Sequence, residues 1–402
     1  MNEPTQRYIR EHADADVRQL ALRGCKEPGV DLPLALQQIQ GRQTARQKMP
    51  SWAAVDGIVY PVHLSMEQCS SEATARYKTL VVRRLLQTRV AHDPDKHPDE
   101  SLLIDLTGGL GVDCAFMSEA FGKAVYVEQD SDLCAIAAAN FRTLGKDVTT
   151  VCGDGTDYLH QTANATLLYI DPARRDTHGS RTYGIADCTP DVLVLRDELL
   201  QKADIVMLKL SPMLDWRKAV NDLGKEHVSE VHIVSVQNEC KELLIVMQKK
   251  CDETAVFCIN DQQIFRPDTV QGDVPAHIEA KEGCFLYEPN ASVMKSGCFK
   301  EVSVNYGVSP LAPNSHLFIS NTRKADFPGR QFQISAISSM NKSDIKEKMA
   351  HLHQANLTVR NFPLSVAELR KRLKISEGGS NYIFATTLAD GRHVLLICQK
   401  AD

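Results

Sequence analysis

Between Leu102 and Gln248, apolar runs of strand length alternate with amphipathic helical stretches. No other feature restricts the fold as much. The runs fall at 102–107, 124–129, 148–153, 166–170, 203–209, 231–237 and 242–248. Helical spacing fills the gaps between the first six, which predicts parallel strands joined by crossover helices and a sheet covered on both faces. Only Asn238, Glu239, Cys240 and Lys241 separate the last two runs. That is too short for a parallel crossover, so these two strands are expected as an antiparallel hairpin.

The first run, Leu102-Leu103-Ile104-Asp105-Leu106, passes through Thr107-Gly108-Gly109-Leu110-Gly111 into an amphipathic segment from Cys114 to Phe121. Missing Cβ atoms in such a turn let a ligand approach the backbone. Four acids stand at strand ends in consecutive units: Asp105, Glu128, Asp154 and Asp171. All belong to the carboxyl edge of the sheet, where ligands of open α/β folds bind. One acid after a strand is commonly a helix cap, but four in register indicate a site. Glu128, followed by Gln129, can accept hydrogen bonds from both hydroxyls of a ribose. Asp154, followed by Gly155, can accept one from an adenine amine.

Those features also suit NAD. However, the pattern T-G-G-x-G-x-D lacks the G-x-G-x-x-G spacing that seats a pyrophosphate on a helix N-terminus. Asp113, in the first helical turn, would repel a diphosphate. The terminal hairpin and the Asp-Pro-Ala-Arg turn after the fourth strand favour S-adenosylmethionine (SAM). The residues expected to hold it are Asp105, Thr107, Gly108, Gly109, Gly111, Asp113, Glu128, Gln129, Asp154 and Gly155.

With 402 residues the chain exceeds one ordinary domain. Residues 1–95 read as a helical region, with apolar positions at helical spacing in Tyr8–His12, Asp16–Leu22 and Leu34–Gln40. The basic, glutamine-rich stretch Gly41–Lys48 could contact phosphate, although a solvated helix face is the commoner meaning of such a run. Ser70 or Ser71 is placed to cap a helix running through Leu86. The sheet-forming core is expected at 96–250, followed by small α+β pieces at 251–325 and 326–402. In the former, strands are expected at Ala255–Ile259, Cys284–Tyr287, Glu301–Val304 and His316–Ser320. In the latter, strand Gln331–Ile337, helix Lys342–His353, strand Leu357–Arg360 and helix Leu364–Leu373 precede strands Tyr382–Thr387 and His393–Cys398.

A balance of 46 basic against 51 acidic residues gives a formal charge of −5, so a nucleic-acid surface has to be a local patch. The best one is Arg360, Arg370, Lys371, Arg372 and Lys374, with Arg330 and Lys342 nearby in sequence. The twelve cysteines are scattered through apolar segments without a C-x-x-C pair, which points to reduced thiols and no bound metal. The N-terminus has no apolar signal core and no run approaches the ~20 residues of a membrane span, so a soluble, cytoplasmic protein with no membrane partner is expected.

At this point the sequence resembles the class I SAM-dependent methyltransferases across roughly 60–250. Glu67-Gln68-Cys69-Ser70-Ser71-Glu72, the Asp105–Asp113 turn, Asp171-Pro172-Ala173-Arg174, Lys209-Leu210-Ser211-Pro212-Met213 and Tyr287-Glu288-Pro289-Asn290 together look like a bacterial family. That family joins a methyltransferase core to a ferredoxin-like domain and a C-terminal THUMP-like domain. The resemblance implies an α/β fold with a Rossmann-like core, a mostly parallel seven-stranded sheet ending in an antiparallel hairpin. It also implies an N-terminal helical region, small α+β domains at the C-terminus and RNA as partner.

Asp171-Pro172-Ala173-Arg174 takes the place of the (Asp/Asn)-Pro-Pro-aromatic turn of amino-methylating enzymes, where the acid and a backbone carbonyl hold the target NH2. The four residues are therefore the expected catalytic turn, with methylation of a base nitrogen in RNA as the expected reaction. Ala173 and Arg174 replace the second proline and the aromatic residue. A guanidinium from Arg174 or Arg175 can stack on a base or pair with phosphate, and Arg370, Lys371 and Arg372 complete the expected RNA contacts. Carbon methylation would need a cysteine, with Cys188 the nearest candidate. Lys209, at the end of the fifth strand, suggests instead a ribose 2′-O-methyltransferase, where lysines and an acid activate a hydroxyl. Other readings are a small-molecule or protein methyltransferase, an NAD-dependent oxidoreductase and a catalytically silent RNA-binding protein.

Overall fold

Asn2, Asp16 and Asp31 each accept hydrogen bonds from first-turn amides, and these caps start α1 (Glu3–Glu11), α2 (Val17–Arg23) and α3 (Leu32–Lys48). The basic stretch after Gln40 is the second half of α3. Two short helices follow, α4 (Pro50–Ala53) and α5 (His63–Gln68), before α6 (Glu72–His92) starts on a Ser71 cap. The computed structural model describes residues 1–93, 97–174 and 184–401. It forms two compact units: Met1–Val231 with Glu242–Thr254, and His232–Lys241 with Ala255–Asp402.

In the first unit the strands are β1 (Leu102–Asp105), β2 (Lys123–Glu128), β3 (Thr149–Cys152), β4 (Ala165–Ile170), β5 (Ala203–Leu210), β6 (Val228–Val236) and β7 (Glu239–Met247). The distal half of the β6–β7 hairpin is counted with the second unit. Their order is β3-β2-β1-β4-β5-β7-β6. Neighbours from β3 to β5 pair in parallel, and β7 runs antiparallel to β5. The chain order reverses between β1 and β4, so a crevice opens at their carboxyl ends. Crossovers are made by α7 (Val112–Met117), α8 (Ser131–Thr143), α9 (Gly155–Gln161), α10 (Val192–Lys202) and α11 (Trp216–Leu223). Every residue of β4 is buried, as a central strand between two helical layers requires. Among the described residues no helix is long and apolar enough to cross a membrane.

The hairpin turn is shorter than its sequence suggests. Gln237 and Asn238 take left-handed backbone conformations, with φ of 51° and 61°, and turn the chain in two residues. Glu239, Cys240 and Lys241 therefore belong to β7.

The second unit carries β8 (Ala255–Asn260) paired with β9 (Gln263–Phe265). It also contains a seven-stranded sheet built from β10 (Phe285–Pro289), β11 (Ser309–Pro310), β12 (Phe318–Ser320), β13 (Gly329–Ser339), β14 (Asn356–Arg360), β15 (Asn381–Thr387) and β16 (His393–Lys400), in the order β11-β12-β10-β13-β16-β15-β14. Helices α12 (Ala291–Ser296), α13 (Phe299–Tyr306), α14 (Lys342–Met349) and α15 (Val366–Leu373) complete it. Glu301–Val304, expected as a strand, lies within α13. Val302 and Ser303 are its buried residues, and Gly307 ends it with φ of 59°.

Candidate active site

Backbone hydrogen bonds tie the glycine turn to the strands beside it. The Leu106 amide donates to Tyr169 at 3.0 Å and the Gly108 amide to Val127 at 2.8 Å. A Cβ on Gly108 would lie 2.1 Å from the Tyr126 ring, so only glycine fits there. Gly109 has φ of 53° and nothing within 4 Å of its missing Cβ, leaving its surface open to a ligand. A Cβ on Gly155 would come within 2.0 Å of the Leu106 carbonyl, so its absence lets α9 start against the turn.

Glu128 braces this turn. Its Oε2 accepts from the Gly109 amide at 2.7 Å and its Oε1 from the Asp130 amide at 2.8 Å. Asp154 is exposed and caps α9 through Oδ1, which accepts from the Thr156 and Asp157 amides. Gln129 is also exposed. Asp105 is 1% exposed, and its Oδ1 accepts from the Thr107 amide at 3.0 Å. Burial pushes its carboxyl well above the ordinary range, with Asp113, Asp171 and Glu128 adding repulsion. This open glycine surface, flanked by one ordered carboxylate and one exposed carboxylate, fits a nucleoside bearing a sulfonium.

Asp171 stands at the end of β4 with its side chain 36% exposed. Its amide donates to Thr107 Oγ1 at 2.7 Å, fastening the acid to the glycine turn, and its carboxylate pairs with Lys209 of β5. Behind this pair lies a buried ionic cluster. Asp113 Oδ2 accepts from the hydroxyls of Ser70 at 2.6 Å and Tyr169 at 2.7 Å, and its Oδ1 is 3.1 Å from Lys78 Nζ. Lys78 also pairs with Glu242 at 2.8 Å. Burial opposes charge on Lys209, yet Asp171, Asp113 and Glu242 outweigh it and raise the ammonium above its ordinary pKa. Burial raises the Glu242 carboxyl, whereas Lys78 and Lys209 overcome burial at Asp113 and lower it. Cys69 is half-buried beside this cluster, and burial raises its thiol.

Pro172 is buried, and Ala173-Arg174 form a two-residue ladder with Cys188-Thr189. This ladder brings Cys188, 5% exposed, next to the Asp171-Pro172 turn. Arg175 lies outside the described residues. Arg370, Lys371 and Arg372 lie on α15 in the second unit; Arg370 donates to the Ala355 carbonyl at 3.3 Å and Arg372 to the Met340 carbonyl at 3.2 Å. Arg360 and Arg330, from the same sequence patch, both pair with the buried carboxylate of Glu288.

Sequence reasoning assigned no role to Lys78, Glu242 or Tyr169. A signal for Lys78 was present. It falls at helical spacing between Ala75 and Val82 on the apolar face of α6, where a cation needs a partner.

Residues 285–328 match a family described as a ferredoxin-like domain, and 329–400 match one described as THUMP domain-like. No protein of curated function matches the sequence. Among solved structures, a Porphyromonas gingivalis W83 protein assigned as a methyltransferase is 31% identical with a TM-score of 0.84, covering 99% of this chain and 98% of its own. An rRNA methylase from Streptococcus thermophilus is 14% identical with a TM-score of 0.30, covering 38% of this chain and 89% of its own. A Pyrococcus horikoshii protein assigned as an RNA methyltransferase is 13% identical with a TM-score of 0.36, covering 52% of this chain and 100% of its own. Through the near full-length likeness to the Porphyromonas protein and the two matched C-terminal domains, the chain belongs to the bacterial family of class I SAM-dependent methyltransferases with ferredoxin-like and THUMP-like domains.

Proposed function

We propose that this enzyme methylates RNA, with the acceptor seated at Asp171. The observation that carries the reading is the 2.7 Å bond from the Asp171 amide to Thr107 Oγ1, which fixes the acceptor acid against the glycine turn. SAM, when bound, supplies an electrophilic methyl group on a sulfonium. Gly109, Glu128 and Asp154 would hold its nucleoside, with Asp105 and Thr107 shaping the turn and Gln129 at its rim. In-line displacement depends chiefly on alignment, which a strand-end acid tied to the cofactor turn provides. RNA as the substrate is supported by the THUMP-like match at 329–400 and by the basic last turn of α15. Asp171-Pro172 supports a base nitrogen, whose NH2 the carboxylate would orient; the Lys209 ion pair favours a ribose hydroxyl.

The test is methyl transfer from labelled SAM to RNA isolated from a strain lacking the gene. Asp171→Ala should abolish incorporation while binding of S-adenosylhomocysteine stays within about threefold, because the acceptor rather than the cofactor depends on it. Incorporation into metabolites or protein, with none into RNA, would overturn the reading.

A further inference from the structure

We infer that the acceptor is a hydroxyl, the 2′-OH of a ribose, and not an exocyclic amine. This rests on the RNA reading above.

The two acceptors require opposite electrostatics. An amine attacking a sulfonium methyl gains positive charge until it sheds a proton, so its site needs hydrogen-bond acceptors and no neighbouring cation. A hydroxyl gains negative charge as its proton leaves, so its site needs a base and a donor side by side. The edge at Asp171 is built in the second way. Asp171 ends β4, Lys209 lies near the end of the adjacent β5, and the ammonium is held against the carboxylate. The Lys209 side chain is only 14% exposed, so water screens its charge poorly.

The cluster behind fixes this arrangement. Asp113 and Glu242 share Lys78, whose side chain is 0% exposed, at 3.1 and 2.8 Å. Ser70 and Tyr169 donate to the second oxygen of Asp113. Lys78 thus partly neutralises the rear carboxylates, leaving Lys209 directed to Asp171 at the open edge. The three carboxylates keep Lys209 protonated despite burial, which makes it a donor and leaves Asp171 as the base.

The step balances with these groups. Asp171 takes the hydroxyl proton while an oxygen lone pair forms the bond to the methyl carbon. The carbon–sulfur bond breaks with its electron pair on sulfur, which becomes a neutral thioether. Lys209 keeps its proton and donates a hydrogen bond to the reacting oxygen, and Asp171 then returns its proton to water through its exposed side.

The experiment uses the full chain, SAM and RNA from a strain lacking the gene, digested to nucleosides and to alkali-resistant dinucleotides. The expected product is a 2′-O-methylnucleoside whose 3′ linkage resists alkali. A base-methylated nucleoside overturns the hydroxyl assignment and leaves the RNA reading standing; no methylated nucleoside overturns the RNA reading itself. Lys209→Gln should slow transfer by about 10²–10³-fold, the loss typical of one oxyanion donor. Its calorimetric affinity for S-adenosylhomocysteine should stay within about threefold. Undiminished or faster transfer in Lys209→Gln would overturn the proposal, since an amine acceptor gains from losing the cation. Lys209→Arg, which keeps charge and donor, separates these outcomes from misfolding: it should retain the melting temperature and measurable transfer, and failure to transfer while folded would also count against the role.

Discussion

Lys78 and Glu242, 164 residues apart in sequence, meet at 2.8 Å with side chains 0% and 3% exposed. This pair joins the helix ahead of the sheet to its antiparallel strand, and Asp113 shares the same ammonium at 3.1 Å. Lys78→Met should therefore destabilise the protein by about 3–5 kcal/mol, because two buried carboxylates lose their cation. Urea unfolding of Lys78→Met beside Lys78→Met/Glu242→Leu checks this. The double variant should recover part of the loss, and a neutral single variant would show that the cluster does not secure α6.

Two neighbouring glycines should respond differently to alanine. At Gly108 the added methyl would meet the Tyr126 ring at 2.1 Å, so Gly108→Ala should cost about 1–3 kcal/mol and disturb the turn. At Gly109 there is open space but φ is 53°, so Gly109→Ala should cost about 1 kcal/mol and act mainly on cofactor affinity. Thermal melts with and without S-adenosylhomocysteine separate the two effects.

Glu128→Ala should weaken S-adenosylhomocysteine binding by about 1.5–3 kcal/mol, the range for a hydrogen bond to a charged group. Calorimetry reads this directly. Unchanged affinity would remove Glu128 from the cofactor site and leave it only as the brace of Gly109 and Asp130.

Neutralising Arg370, Lys371 and Arg372 together should weaken RNA binding. The log-log salt slope should become shallower by about 2, since each single-strand phosphate contact contributes about 0.7. Arg330 and Arg360 should behave otherwise: both pair with buried Glu288, so replacing either should show first in stability. Filter binding over a salt series, with melting curves alongside, distinguishes these roles.

In the second unit, Asp344 accepts from the Ser339 amide at 2.6 Å and pairs with Lys348 at 2.9 Å. The Lys348 hydrogen bond and the Ser339 amide lower its carboxyl to about 2. A depressed folded pKa contributes stability above the unfolded value, here 3.8, and that contribution disappears as pH falls through about 2. Asp344→Asn should cost about 1 kcal/mol at pH 7 for this partly exposed group, with the difference from the parent closing below pH 4. Denaturant titrations across that pH range provide the measurement.

The parallel core was legible because buried strands leave continuous apolar runs, as in Thr166–Ile170, and helices between them leave a different period. The hairpin boundary was less so: Glu239 and Lys241 look like linker residues, and only their position after a left-handed Gln237-Asn238 turn makes them strand. Val302 and Val304 alternate as in a strand, but four residues cannot distinguish the two periods, and the stop at Gly307 marks helix α13. The acids at the carboxyl edge could be read singly because each ends its strand or stands just past it. The cluster behind them could not, because its members come from α6, α7, β4 and β7 and meet only after the sheet is assembled.

The Glu128 carboxylate, held by two backbone amides before any ligand arrives, has an entropic consequence. A free glutamate gives up about 1.5–2 kcal/mol of rotamer freedom when it is immobilised. Here folding has already done that ordering. A ribose docking at this strand end meets an acceptor whose direction is set, so nearly all of the new contact can appear as affinity, and binding there should have a small conformational-entropy penalty.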